Sequence, residues 1–209
     1  MFKGRYVLLL MFVQSFEFIQ TKQCNIPEDN EDIDWDKFPD EWYQVLHTND
    51  AVMGKDVYGG QLQNFTKTST GAKTVVTELH KNSPPQTFIA SWREKGAGIY
   101  RLEKSDESAA IASQSLTPEG GTSEDAVKLE HALFDGDILI LNDEKNYLIF
   151  VFCSPSDEWV VWVLFPTMKP TIHQVTLMWN KLMAKGINVQ LHLAEVVKHP
   201  EIFMGFTKS

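Results

Sequence analysis

From Trp42 to Phe165 the chain is a succession of short segments rich in Val, Ile, Phe, Tyr, Trp and Thr, parted by turn-forming residues. That pattern constrains the fold more than any other feature, because such segments bury one face as strands and seldom as helices. Candidate strands are Glu41–His47, Gly60–Thr66, Thr74–Lys81, Thr87–Trp92, Ile99–Glu103, Leu129–Phe134, Asp137–Leu141, Tyr147–Cys153 and Trp159–Phe165. Turn chemistry separates them at Gly59-Gly60, Ser69–Gly71, Asn82–Pro85, Gly96–Gly98, Gly136, Asn142–Asn146 and Ser154–Asp157. The polar stretch Ser105–Ser123 reads as a long loop. An antiparallel meander follows, as a barrel or a sandwich, with one strand more than an eight-stranded barrel requires.

One segment has helical spacing. Ile172, Val175, Met178/Trp179 and Leu182/Met183 make a single apolar face. Thr171 is placed to N-cap it after Pro170, Lys181 and Lys185 suit its C-terminal dipole, and Gly186 suits the left-handed position beyond its end. Too little chain follows for this helix to be a crossover, so it is expected to pack outside the sheet.

The first residues read as a secretory signal. Lys3 and Arg5 precede the apolar run Tyr6–Val13, which is too short to span a bilayer, and cleavage is expected near Ser15. An acidic stretch, Asn25–Asp40, reads as a solvated arm. Its Asp32, Asp34 and Asp36 do not make an EF-hand, since Lys37 and Tyr43 occupy the places of the required Gly and Glu. Two cysteines remain, Cys24 and Cys153. In a secreted chain an even count favours a disulfide over two unpaired thiols. That bond would close a loop of about 130 residues, worth about 4–5 kcal/mol in the chain-entropy model. Asn64-Phe65-Thr66 is an N-glycosylation sequon and would place Asn64 outside. The formal net charge of −9 argues against nucleic acid and anionic membrane partners.

Three separated places resemble the lipocalin family, in the family's order. Trp35-Asp36-Lys37-Phe38-Pro39-Asp40-Glu41-Trp42-Tyr43 resembles the lead into its first strand. Asn142-Asp143-Glu144-Lys145-Asn146-Tyr147, running on to Cys153, is similar to the turn between its sixth and seventh strands. Trp162–Thr167 resembles its last strand and the lead into its helix. Asp40 and Pro166 depart from the family's Gly and Arg, which makes this a divergent member whose Trp42 lacks the usual cationic partner. A Cys before the first strand bonded to one ending the seventh is a pairing of the insect bilin-binding and apolipoprotein D-like branches.

The resemblance implies an all-β fold, an eight-stranded antiparallel up-and-down barrel with one C-terminal α-helix packed outside. The expected organisation is a signal peptide over 1–15, an acidic arm over 16–40, the barrel and helix over 41–186, and a tail over 187–209. Such a barrel leaves room for one small ligand. Carrying over the family's facing, Leu148, Phe150, Phe152, Val160, Trp162 and Leu164 point inward, Trp42 plugs the closed end with Leu46 above it, and Val75, Thr77, Phe88 and Trp92 are candidates at the open end. The implied function is a secreted carrier of a small hydrophobic molecule, with no cofactor and no bound metal. No catalytic motif is visible, so an enzyme is not expected. Two alternatives stay open. One is an amine- or haem-binding scavenger, with Glu78, Glu94 or Glu103 pairing with a cationic amine, or His47 or His80, near the expected open mouth, holding haem or a metal. The other is a protein-binding or inhibitory module with a filled interior and long specific loops.

Overall fold

The computed structural model describes residues 24–198 except 30, 52, 54–56, 81–83 and 104–123. Eight strands form the ring: β1 (Glu41–His47), β2 (Val57–Thr68), β3 (Gly71–His80), β4 (Gln86–Gly96), β5 (Ile99–Glu103), β6 (Ile138–Asn142), β7 (Leu148–Cys153) and β8 (Trp159–Phe165). Each pairs antiparallel with its sequence neighbour, and β8 returns to β1 with Tyr43 opposite Phe165. Closure leaves the ring without a free edge.

Two sequence expectations are corrected here. Gly59-Gly60 is no turn; both residues lie inside β2. The outer face of the strand needs glycine at 59, because a Cβ there would lie 2.5 Å from Val196 Cγ1. Leu129–Phe134 is no strand; it belongs to a helix, α1 (Glu124–Asp135). That stretch is built of Leu, Glu, His, Ala and Phe with no β-branched residue, and its local propensity is helical. The signal peptide and the loop expected over Ser105–Ser123 lie outside the described residues.

The C-terminal helix, α2 (Ile172–Ala184), forms where the apolar spacing places it. Thr171 Oγ1 accepts from Gln174 N while the Gln174 side chain accepts from Thr171 N, a reciprocal capping box, and Gly186 takes φ +70° beyond the end. Met178 and Leu182 are buried against Leu139, Leu141, Ile149, Val151, Val161, Val163 and Phe165. Strands β6 to β8 are thus covered on both faces, which is why their sequences are nearly continuous apolar runs. A two-residue strand outside the ring, β9 (His192–Leu193), pairs with Leu46 and His47, and Ala194 N donates to Val45 O. It lies where β1 has already parted from β2, whose pairing ends at Tyr43 opposite Gln61. A short helix, α3 (Glu195–Lys198), then buries Val196 against Leu79.

The acidic arm is not solvated along its length, contrary to its composition. Cys24 is bonded to Cys153, with Cα atoms 5.7 Å apart, so the disulfide is formed as expected. From there the arm crosses α2. The Asp29 side chain, 4% exposed, meets Lys185 Nζ at 2.9 Å and Lys181 Nζ at 3.7 Å, while Glu31 meets Lys181 at 2.6 Å. Ile33 and Trp35 are buried, and a 3-10 turn (Trp35–Lys37) carries the chain into β1. Because Asp29 is buried and paired, Asp29→Asn should cost roughly 3 kcal/mol in urea unfolding by removing the carboxylate that faces the mostly buried Lys185 and leaving Lys181 with Glu31 alone. Glu31→Gln, at an exposed carboxylate, should cost less than about 1 kcal/mol in the same measurement.

Candidate functional site

Alternation along the strands separates two apolar sets. Inside the ring are Trp42, Leu62, Ala90, Trp92, Leu102, Leu148, Phe150, Phe152, Val160 and Leu164; the set under α2 lies outside. One end of the interior is sealed by rings. Trp35 stacks on Phe65 at 5.4 Å and meets Tyr100 edge-on at 5.5 Å, and Phe38 lies between Phe65 and Trp42 at 5.1 and 5.5 Å. At this end the turn from β6 to β7 is organised by Asp143, whose Oδ1 accepts from the backbone N of Asn146 at 2.6 Å and of Lys145 and Tyr147 at 3.2 Å. This gives a physical reason for the Asp in that sequence pattern.

Towards the other end the interior holds a cavity of about 80 Å³. Its walls are mainly Leu62, Val76, Phe88, Trp92, Phe150 and Trp162, and Trp92 stacks on Phe150 at 5.0 Å. Met53, from the β1–β2 connection, and Leu133, from α1, also line it. The polar contribution is small: Glu78, Gln44 and the backbone at Gly60. Glu78 Oε2 lies 3.3 Å from His80 Nε2. Gln44 Nε2 and Trp92 Nε1 are buried donors with no acceptor among the described residues. A wider groove of about 440 Å³ opens between residues 48–51 and 154–160. There Ser154 and Ser156 bond each other at 2.9 Å and Ser156 bonds Glu158 at 3.2 Å, so the hydroxyls of its rim are already paired. The inner cavity, lined almost wholly by apolar side chains, is the better candidate for a ligand.

Among the sequence-derived residues, Phe88, Trp92, Phe150 and Trp162 line this cavity, as does Leu164. Leu148, Phe152 and Val160 sit in the inner set but outside the cavity wall, and Trp42 is fully buried near the sealed end. Three assignments are corrected. Leu46 packs with the outer set, because a β-bulge between Gln44 and Leu46 shifts the phase of β1 and aligns Leu46 with outward Val163. Val75 and Thr77 face outward, because Val76 pairs with inward Phe88 and the neighbours alternate. Thr77 Oγ1 meets Thr87 Oγ1 on that exposed face at 3.1 Å.

Of the candidate polar groups, only Glu78 lines the cavity; Glu94 is exposed and Glu103 lies on the surface 3.8 Å from Arg93. His47 is buried with Nδ1 2.6 Å from Thr48 O and its ring beside His192. Among the described residues no group of three His, Cys, Asp or Glu could hold a metal ion. Sequence reasoning missed Gln44, Met53, Val57, Leu62, Val76, Ala90, Leu102 and Leu133. The apolar ones carried only the ordinary signal of a core residue.

Burial also sets the tyrosines apart. Tyr43 is pushed up to about 12, first by burial and then by Glu41. Tyr100 and Tyr147 are raised too, by burial and then by Glu94 and Asp143 respectively. The folded chain therefore holds these protons more tightly than the unfolded chain. Their contribution is fully present below pH about 10 and is lost as pH rises through the folded values. In a spectrophotometric titration, phenolate absorbance from these three should lag behind that of the urea-unfolded protein, and alkaline unfolding should release them together.

No family model and no curated protein matches the sequence. Solved structures do match its fold. The cockroach allergen Per a 4 is 11% identical, covering 78% of this chain and 86% of that one at a TM-score of 0.52. The tryptamine complex of the amine-binding protein of Rhodnius prolixus is 14% identical, covering 90% and 96% at 0.53. The odorant-binding protein OBP1 is 12% identical, covering 81% and 97% at 0.50. A closed eight-stranded antiparallel ring, a helix on its outer wall and these matches agree: the chain has the lipocalin fold.

Proposed function

We propose that this protein is a secreted carrier that binds one small, mostly apolar molecule inside the barrel. The observation that carries the reading is the apolar cavity inside the barrel, walled by Phe88, Trp92, Phe150 and Trp162. At about 80 Å³ it is well below the size of pockets that hold drug-sized ligands. A single aromatic ring with a short substituent suits it better than a sterol or a tetrapyrrole. The formed disulfide supports an oxidising, extracellular setting. Asn64, exposed at a β-bulge in β2 with φ +54°, supports use of its sequon. Expression through a eukaryotic secretory route should deliver the protein to the medium, with a mass shift on deglycosylation that Asn64→Gln removes.

Two of the six tryptophans line the cavity, so their fluorescence reports its filling. Titration with a panel of small aromatic molecules should quench it saturably; no response to any member would refute the carrier reading. Native mass spectrometry of the secreted protein would reveal a retained ligand.

A second reading, an amine carrier, is favoured by Glu78, a carboxylate on the cavity wall. The tryptamine-bound neighbour shares this fold. A charge-assisted hydrogen bond contributes about 1.5–3 kcal/mol, so an aryl-alkyl amine should bind roughly tenfold or more tightly than its uncharged analogue. Glu78→Gln should erase that difference and leave the uncharged analogue unaffected. Equal affinities in the parent protein would leave only the apolar reading.

A further inference from the structure

We propose that Gln44 and Trp92 select a ligand that carries a neutral acceptor oxygen, a carbonyl on a small aromatic ring, over a plain hydrocarbon. The inference deepens the carrier reading above and rests on it. It begins with the facing of β1 and β4. Gln44 lies two residues beyond Trp42 and pairs with Leu164, both of the inner set, so alternation turns its amide into the barrel. Trp92 follows Phe88 and Ala90 on β4 at the same spacing. Both side chains line the cavity, and they are only 6% and 7% exposed.

Each is held in place, yet each keeps a buried donor with no acceptor among the described residues. The Trp92 indole stacks on Phe150 with planes 19° apart, which fixes the direction of its N–H. The Gln44 amide turns its oxygen towards β2, where a Cβ on Gly60 would lie 3.3 Å from Oε1. Its Nε2 is on the other side of the amide. Trp162, the other indole of the wall, differs: its Nε1 donates to Asp50 at 3.0 Å. A buried donor left unmet costs the full desolvation of that group, so nearly all such donors in folded proteins have a partner. Two of them on one apolar wall have a common explanation, that the molecule filling the cavity supplies the acceptor. The charge of the wall sets the kind of acceptor. Glu78 lines the cavity, and no Lys or Arg does so among the described residues. An entering carboxylate would be buried beside a like charge with no counter-charge, which is costly. An ammonium group has no lone pair for either donor, whereas a carbonyl oxygen is neutral and has two.

The test compares acetophenone with α-methylstyrene, in which a methylene group replaces the carbonyl oxygen at nearly the same shape. Calorimetric titration gives both dissociation constants for the whole secreted protein, Gln44→Met, Trp92→Phe and the double variant. Water competes for the carbonyl, so the quantity read is the ratio of the two constants and its change between proteins. The ratio should move against acetophenone by roughly tenfold in at least one single variant, and further in the double variant. Benzoate should bind the parent about tenfold or more weakly than acetophenone; equal binding would overturn the choice of a neutral group. In isotope-labelled parent protein, acetophenone should move the side-chain N–H signal of Trp92 or Gln44 downfield of its position with α-methylstyrene, because the ring-current effects of the two probes nearly cancel. A response at either donor supports the proposal and locates the oxygen. Coincident N–H signals for the two probes, or a ratio unchanged in all three variants, would overturn it and leave the carrier reading standing. If neither probe binds the parent, the carrier reading fails and this inference with it. If the variants do not fold, the N–H signals of the parent decide.

Discussion

Replacing both cysteines, Cys24→Ser with Cys153→Ser, should lower stability by about 4 kcal/mol and the thermal midpoint by roughly 8–16 °C. The bond joins residues 129 positions apart, so cutting it returns a very large loop to the unfolded ensemble. It also frees the start of the arm. Here the two contributions can be separated. If the effect lies in the unfolded chain, unfolding in reductant should shift the midpoint as much as the double substitution does, with the Asp29 contacts to Lys181 and Lys185 still formed in the native state. Amide exchange across residues 24–37 then stays slow. A midpoint that moves by less than 2 °C would show that the reduced chain is already held compact in its unfolded state.

Trp42→Ala should cost about 3–5 kcal/mol, the range for removing a large aromatic side chain from a closed core. Trp42 has no exposed surface, belongs to the inner set and touches Phe38 in the stack of rings that seals the barrel. Its Nε1 has no partner among the described residues, so Trp42→Phe removes no hydrogen bond found there and should cost distinctly less than the alanine change. Denaturant unfolding of the pair measures both. Equal losses for Phe and Ala would mean that the indole fills a space no smaller ring can share. A loss under about 1 kcal/mol for Ala would mean that the sealed end carries little of the stability, contrary to its packing.

The strand series, the helix and the cysteine pair were legible because each is written in local chemistry. β1, β5 and β8 have the bounds that their residue pattern predicts, and α2 starts after a Thr cap and ends before a Gly. Local chemistry also accounts for the helix over Leu129–Phe134, where the residues are helix formers with no β-branched member. The facing of β3 was different in kind. Thr74-Val75-Val76-Thr77 is the same pattern read from either side, and only pairing with β4 decides that Val76 is the inward member. Leu46 turned outward because one extra residue at a bulge reverses every side chain beyond it.

The sequence by itself determined the class of fold, the order of its elements and which residues are apolar enough to be buried, because these follow from periodicity and turn chemistry. Only the tertiary structure decided which apolar residues meet the hollow. It likewise decided that Asp29 of the acidic arm is buried against two lysines, and that Met53 and Leu133 line the hollow. Those outcomes depend on register and on contacts between segments more than a hundred residues apart, which no local pattern records.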